Sequence, residues 1–355
     1  MSLTLHVDGP RWRAHLESVA AAHPGLVPVA KGNGYGLTVG RLARRAQWLR
    51  DRGHDVPAVA VGTYDEIAQV APRWDGDIVV LTPWRPWIEP LEPRLADRVV
   101  HTVSRAEDVG ALLAVDPRAR LVLEQVTSMQ RHGMRADDLW QAASLLRRHP
   151  GARFEGFAIH LPLGHGAHVA EVGRLLTDAV GAGLGPVTAW VSHLSEAELD
   201  RVRSAHPGVT LRPRIGTALW LGDRGAFSVR ARVLDVHAVA RGEEFGYRGR
   251  SIPRDGHLLV VSGGTAHGIG LEAPAGDQGL RSRVATVARG GLDAAGWVKS
   301  PFTVAGKARL FAEPPHMQAS MLYLPAGAEV PEVGDEVDVR VRYTATDVDR
   351  VVISD

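Results

Sequence analysis

From about residue 10 to 225, short apolar runs alternate with amphipathic segments, a pattern that predicts strand–helix units built around a parallel sheet. The runs at 27–30, 56–61, 78–81, 99–102, 120–124, 154–160, 188–193 and 213–218 read as strands. Between them, 39–51, 64–70, 106–114, 136–148 and 169–182 carry apolar residues at helical spacing. Eight such units predict an α/β fold, a (β/α)8 TIM-type barrel, whose working residues belong at the C-terminal ends of the strands. Lys31, Glu124, His160, His193 and Arg214 fall at or near those ends. After about residue 226 the pattern changes to short strands and turns, at 229–239, 256–262, 308–311, 317–324 and 337–343. The expected division is a barrel over 8–225 and a mostly β C-terminal domain over 226–355, with residues 1–7 pairing with the latter. Two stretches, 273–283 and 290–304, read as irregular insertions without an assigned place.

At 355 residues the chain exceeds one ordinary core, as a two-domain reading requires. An apolar fraction of 45% with 23% charged residues is that of a globular protein rather than a disordered one. The net charge is only +1 and the arginines are spread along the chain, so no footprint for nucleic acid is expected. No apolar stretch approaches the roughly 20 residues of a membrane helix, and the N-terminus lacks a basic segment followed by a long apolar one. No membrane association is expected, and the cytoplasm is the expected compartment. The absence of cysteine rules out disulfides, thiolate metal sites and a Cys nucleophile.

Lysine is rare: of 41 Lys and Arg residues, only Lys31, Lys299 and Lys307 are lysine. An amine can lose its proton and form a Schiff base, whereas a guanidinium effectively cannot. Lys299 and Lys307 read equally well as ordinary surface amines. Lys31 is different, because it ends the apolar run Leu26-Val27-Pro28-Val29-Ala30 and opens the glycine turn Gly32-Asn33-Gly34-Tyr35-Gly36. A strand-end lysine beside a turn able to approach phosphate suits a pyridoxal phosphate (PLP) enzyme.

The run Val29-Ala30-Lys31-Gly32-Asn33-Gly34-Tyr35-Gly36 resembles the lysine motif of the alanine racemase family, which has a PLP-binding barrel followed by a β domain. Further similarities follow in the family's order. They are Val59-Ala60-Val61-Gly62-Thr63-Tyr64-Asp65-Glu66, Thr127-Ser128-Met129-Gln130-Arg131-His132-Gly133, Gly156-Phe157-Ala158-Ile159-His160 and Arg214-Ile215-Gly216-Thr217-Ala218-Leu219-Trp220. The resemblance implies that Lys31 holds PLP and acts as one acid/base. It implies phosphate contacts for Tyr35, Gly216, Thr217 and Ser195, and ring stacking for His160. Arg131 would hold the substrate carboxylate, supported by Glu124, while Arg214 would face the pyridine nitrogen and keep it unprotonated. Lone strand-end histidines, and an arginine at such a position, are also ordinary interior residues or salt-bridge partners.

The C-terminal region departs from the family at the chemistry. Where the family carries Gly-Tyr-Ala-Asp-Gly, whose tyrosine is the second base, this chain has Gly264-Thr265-Ala266-His267-Gly268. A threonine hydroxyl is a far weaker base than a phenol of pKa about 10, so His267, of a type with pKa about 6.5, is the nearest replacement. Tyr247 and Tyr323 read as packing residues. His316-Met317-Gln318 resembles the family's Cys-Met-Asp segment, in which the Met317 position helps bind substrate carboxylate. The C-terminal 350–355 lacks the family's further tyrosine. The reading is a PLP-dependent amino-acid racemase, similar to alanine racemase with either reduced alanine activity or an altered substrate, and expected as a homodimer with shared active sites. Its alternatives are a one-base PLP enzyme, such as a D-amino-acid lyase or decarboxylase, and a non-catalytic PLP-binding protein.

Overall fold

The eight apolar runs form eight parallel strands: Val27–Pro28, Ala58–Val61, Asp77–Val80, Val99–Val103, Arg120–Gln125, Arg153–His160, Thr188–Ser192 and Thr210–Ile215. They belong to a computed structural model that describes residues 2–164, 166–184, 187–271 and 298–355. Each strand pairs with its neighbour in chain order, and Val27–Pro28 also lies beside Thr210–Ile215. A parallel bridge between Val29 and Ala60, with Ala30 N–H donating to the Ala60 carbonyl at 2.8 Å, closes the barrel.

Side chains alternate across each strand, so one set fills the barrel and the other meets the helices. Val27, Val29, Ala58, Ala60, Val79, Val100, Val122, Ala158 and Trp190 make up the inner cluster. Outward residues such as Leu121, Leu123, Phe157 and Ile159 pack with Leu112, Leu139, Leu146, Leu175 and Leu199 of the surrounding helices. Val39–Asp51 and Ala136–Arg148 take the bounds their amphipathic spacing predicts. The run at 213–218 shifts to Thr210–Ile215, because Gly216 leaves the extended conformation and the helix Thr217–Leu221 begins there.

These elements lie in a compact unit of residues 13–222, and a second unit combines residues 1–12 with 223–355. In the second, Phe227–Val239, Gly256–Ser262, Ala319–Pro325, Lys307–Phe311, Lys299–Val304 and Glu336–Val339 pair in a ring that returns to Phe227–Val239. The 13-residue strand Phe227–Val239 is long enough to hold Leu3–Val7 along its first half and Gly256–Ser262 along its second. Leu3–Val7 in turn pairs in parallel with Arg350–Ile353, a strand its short run did not announce. Lys299–Val304 falls within a stretch expected to be irregular; residues 273–283 and 290–297 lie outside the described residues. Among the described residues, no helix is long and apolar enough to cross a membrane.

His101 is buried in Val99–Val103, with Nδ1 2.8 Å from the Tyr64 hydroxyl. Burial pulls its pKa down to about 4. The unfolded chain therefore takes up this proton before the folded one does. The resulting stability is complete above pH about 6.5 and is lost as pH falls toward about 4, on the order of 3 kcal/mol in all. Urea denaturation at pH 7, 5.5 and 4 should show that decline, and His101→Asn should flatten it; an equal decline in the variant would refute the assignment.

Candidate active site

The alternation that fills the barrel continues one step past its apolar layer, and there the inward residues become polar. Lys31 follows Val29 by two positions, Glu124 follows Val122 and His160 follows Ala158. Arg214, on Thr210–Ile215, belongs to the same group through its electrostatic coupling to Lys31, Glu124 and His160.

Lys31 is exposed, and Glu66 holds the residue that follows it, Gly32, together with Gly62 and Thr63. One oxygen of that carboxylate accepts Gly32 N–H at 2.6 Å; the other accepts Gly62 N–H at 2.6 Å and Thr63 N–H at 3.2 Å. Partial burial lowers the Lys31 pKa, Arg131 and Arg214 lower it further, and Glu66 opposes them. A lysine depressed in this way reaches its neutral, nucleophilic form more readily. Sequence reasoning quoted Glu66 within a motif and assigned it no role; its capping-box position three residues after Thr63 is the signal that was there to read.

Arg214 is 5% exposed, and one of its terminal nitrogens donates to the Ile159 carbonyl at 3.0 Å. Among the described residues its Nε is buried without a hydrogen-bond partner, as is Oε2 of Glu124. Burial brings the Arg214 guanidinium down to about 10, with Glu124 opposing, and burial raises the Glu124 carboxyl against the pull of Arg214 and then Arg131. Glu124 therefore answers to Arg214 more than to Arg131, the residue it was expected to support.

Arg131 is exposed on a loop pinned at both ends. Met134 N–H donates to the Glu124 carbonyl at 2.8 Å and Val126 N–H to the Met134 carbonyl at 3.0 Å, while the Thr127 hydroxyl donates to the His160 carbonyl at 2.7 Å. At Gly133, with φ of +123°, a Cβ would lie 2.3 Å from the backbone at Gln125, so the loop closes there only with glycine.

His160 and His193 stand with ring centroids 4.8 Å apart, and the Leu161 carbonyl accepts from His193 Nδ1 at 2.6 Å. Burial, then Arg214 and Arg131, pull His160 down to about 3, so its ring is neutral at physiological pH.

Tyr35 is buried with φ of +57°, and burial pushes its hydroxyl up to about 12. A Cβ on Gly216 would lie 2.2 Å from that hydroxyl, which places Tyr35 and Gly216 together, with Thr217 next in the chain and exposed. Gly216→Ala should therefore displace the phenol at a cost of roughly 1–3 kcal/mol, the usual range for overpacking. Thermal unfolding checks this, and the double variant with Tyr35→Phe should recover part of the loss; no recovery would place the clash elsewhere. Ser195 differs from its expected role. It is exposed, and its hydroxyl donates to Glu198 Oε2 at 2.7 Å as the N-cap of Glu196–Ala205, so its proton is committed to the helix.

In the second unit the two departing segments lie side by side. Thr265 N–H donates to the His316 carbonyl at 2.8 Å, Ala266 N–H to that of Met317 at 2.9 Å, and Gly263 N–H to that of Gln318 at 2.9 Å. Thr265 and Met317 are both exposed. His267, the expected replacement base, is buried, and both its ring nitrogens are engaged. Nδ1 accepts Gly264 N–H at 3.2 Å, which leaves Nε2–H to donate to Asp349 Oδ1 at 3.1 Å. Its imidazole holds the turn and offers no lone pair. Tyr323 donates to the Arg254 carbonyl, as a packing residue does, but Tyr247, read from sequence as packing, is 86% exposed.

Comparison with known proteins matches residues 7–219 to the family model described as alanine racemase, N-terminal domain. The alanine racemase of Streptomyces coelicolor is 26% identical over 293 residues, covering 74% of this chain and 71% of that protein. That of Dinoroseobacter shibae is 25% identical over 283 residues, covering 76% and 75%. A crystal structure of alanine racemase from Bartonella henselae with covalently bound pyridoxal phosphate superposes with a TM-score of 0.72 at 15% identity, covering all of both chains. With its family model matched across most of the barrel unit, the chain belongs to the alanine racemase family.

Proposed function

We propose that the protein is a PLP-dependent, alanine racemase-like amino-acid racemase, with Lys31 as the cofactor-bearing lysine. The observation that carries this reading is the polar layer at the barrel's C-terminal end. There a lysine of lowered pKa shares one electrostatic group with a neutral histidine and with a buried arginine whose Nε lacks an acceptor. These residues fit the cofactor. The orphaned Arg214 N–H suits a pyridine nitrogen, the His160 ring suits its face, and Tyr35, Gly216 and Thr217 suit its phosphate. The similar proteins, an alanine racemase and a solved alanine racemase with covalently bound pyridoxal phosphate, agree with that assignment.

When bound, PLP supplies an electron sink that makes the substrate Cα–H acidic. Arg214, whose guanidinium stays protonated, would face the pyridine nitrogen and offer it a donor, which disfavours a proton there. Arg131, exposed on its pinned loop, binds the substrate carboxylate through its guanidinium fork. Glu66 fixes the backbone at Gly32, next to Lys31, so the amine swings from a stationary base and moves the proton on one face of Cα. The other face is served by the surface of the C-terminal unit that carries Thr265 and Met317, supplied by the partner in a homodimer with shared sites. On that surface Thr265 takes the place of the family's tyrosine, and His267 supports its turn.

Purified protein saturated with PLP should absorb in the visible and, with L- or D-alanine in deuterated water, yield the opposite enantiomer carrying deuterium at Cα. Consumption of the amino acid into other products would establish a one-base lyase or decarboxylase instead. A coloured protein that exchanges no Cα proton in any amino acid of a broad panel would be a non-catalytic binder.

A further inference from the structure

A histidine that replaces the cysteine of the family's Cys-Met-Asp segment, and a buried carboxylate three residues before it, lie beside the turn where the tyrosine is missing. Glu313 is 3% exposed, and its Oε1 is 2.7 Å from His316 Nε2. Its Oε2 accepts Tyr247 N–H at 3.2 Å. The approach is tight: at Gly246, with φ of +70°, a Cβ would lie 2.3 Å from Glu313 Oε2. The Tyr247 ring covers the imidazole with centroids 4.7 Å apart. The His316 side chain stays 29% exposed, and its carbonyl is the acceptor for Thr265 N–H.

Chemistry separates the two histidines of this surface. A carboxylate only accepts, so His316 Nε2 carries the proton and Nδ1 keeps its lone pair. No hydrogen bond occupies His316 Nδ1 among the described residues, whereas both nitrogens of His267 are used within the turn. A carboxylate on the far nitrogen also offsets the positive charge that develops when an imidazole takes a proton, the arrangement that general-base histidines use.

We propose that His316, held by Glu313, is the second acid/base of the C-terminal unit, filling the role vacated at Thr265; the proposal rests on the racemase reading above. In one direction Nδ1 takes the Cα proton, the electrons of the broken C–H bond stay with the substrate, and protonated Lys31 delivers a proton to the opposite face. In the other direction the two groups exchange roles, so protons balance over a turnover once both re-equilibrate with water. Glu313 acts through the imidazole as a positioning residue.

The test uses PLP-loaded full-length protein. His316→Gln should lose about 10²- to 10⁴-fold in interconversion of alanine enantiomers, the usual share of one acid/base group. It should keep its visible absorbance and still exchange the Cα proton of one enantiomer, from the Lys31 face, without inversion. Glu313→Gln should lower kcat with KM unchanged, and Glu313→Asp should restore part of it. Independently of turnover, diethyl pyrocarbonate should modify His316 in the wild-type holoenzyme, mapped by mass spectrometry, and saturating alanine should protect it. Wild-type rates in folded His316→Gln, inversion lost in Tyr247→Phe alone, or no substrate-protected label at His316 would each overturn the assignment while leaving the racemase reading standing. An inert wild-type holoenzyme would overturn both.

Discussion

Lys31→Ala protein is expected to purify folded, to lose the lysine-linked visible absorbance, and to lose amino-acid interconversion by at least about 10⁴-fold. The side chain is exposed and the backbone around it is held by Glu66, so removing the amine leaves the barrel intact. On the proposed function, what disappears is the attachment point of the cofactor and the acid/base on one face of Cα, each worth orders of magnitude on its own. Borohydride reduction of the PLP-loaded wild type followed by peptide mapping should place the adduct on Lys31. An adduct on Lys299 or Lys307, or a persistent band in the variant, would remove the basis of the functional assignment.

The largest stability effect is expected at Arg214. Arg214→Met leaves the Glu124 carboxylate, 4% exposed, without the largest of the cations that oppose its burial, and the Ile159 carbonyl without its donor. The two side chains form no direct ion pair among the described residues, but leaving a buried charge under-compensated typically costs about 3–5 kcal/mol. Urea denaturation at pH 7 should show a loss of that size. Adding Glu124→Gln should recover much of it, since a neutral amide needs no counter-charge. Additive losses in the double variant would show that the two groups do not interact. The single variant should also bind PLP more weakly, as the orphaned Nε donor goes with the guanidinium.

Helices with strong amphipathic spacing, Val39–Asp51 and Ala136–Arg148, were legible to the residue, because one apolar face against a sheet dictates period and length together. The strand-end positions of Lys31, Glu124 and His160 were legible for a related reason: alternation along a barrel strand decides which residue points inward beyond the last apolar layer. Lys299–Val304 and Arg350–Ile353 were not, since a short β strand owes its existence to the neighbours that pair with it.

By itself, then, the sequence determined the parallel barrel, the β-rich second region and the residue types of the polar layer at the strand ends, all of which follow from local periodicity and from a lysine kept where arginine is the rule. Only the tertiary structure decided what each polar group is free to do. Ser195 and His267 looked available and are spent on a helix cap and a turn, whereas the partners that Glu66, Glu313 and His316 engage are visible only in the fold. A hydrogen bond satisfied by a partner 82 residues away, as between His267 and Asp349, leaves no trace in local pattern, yet it settles whether an imidazole has a lone pair to offer.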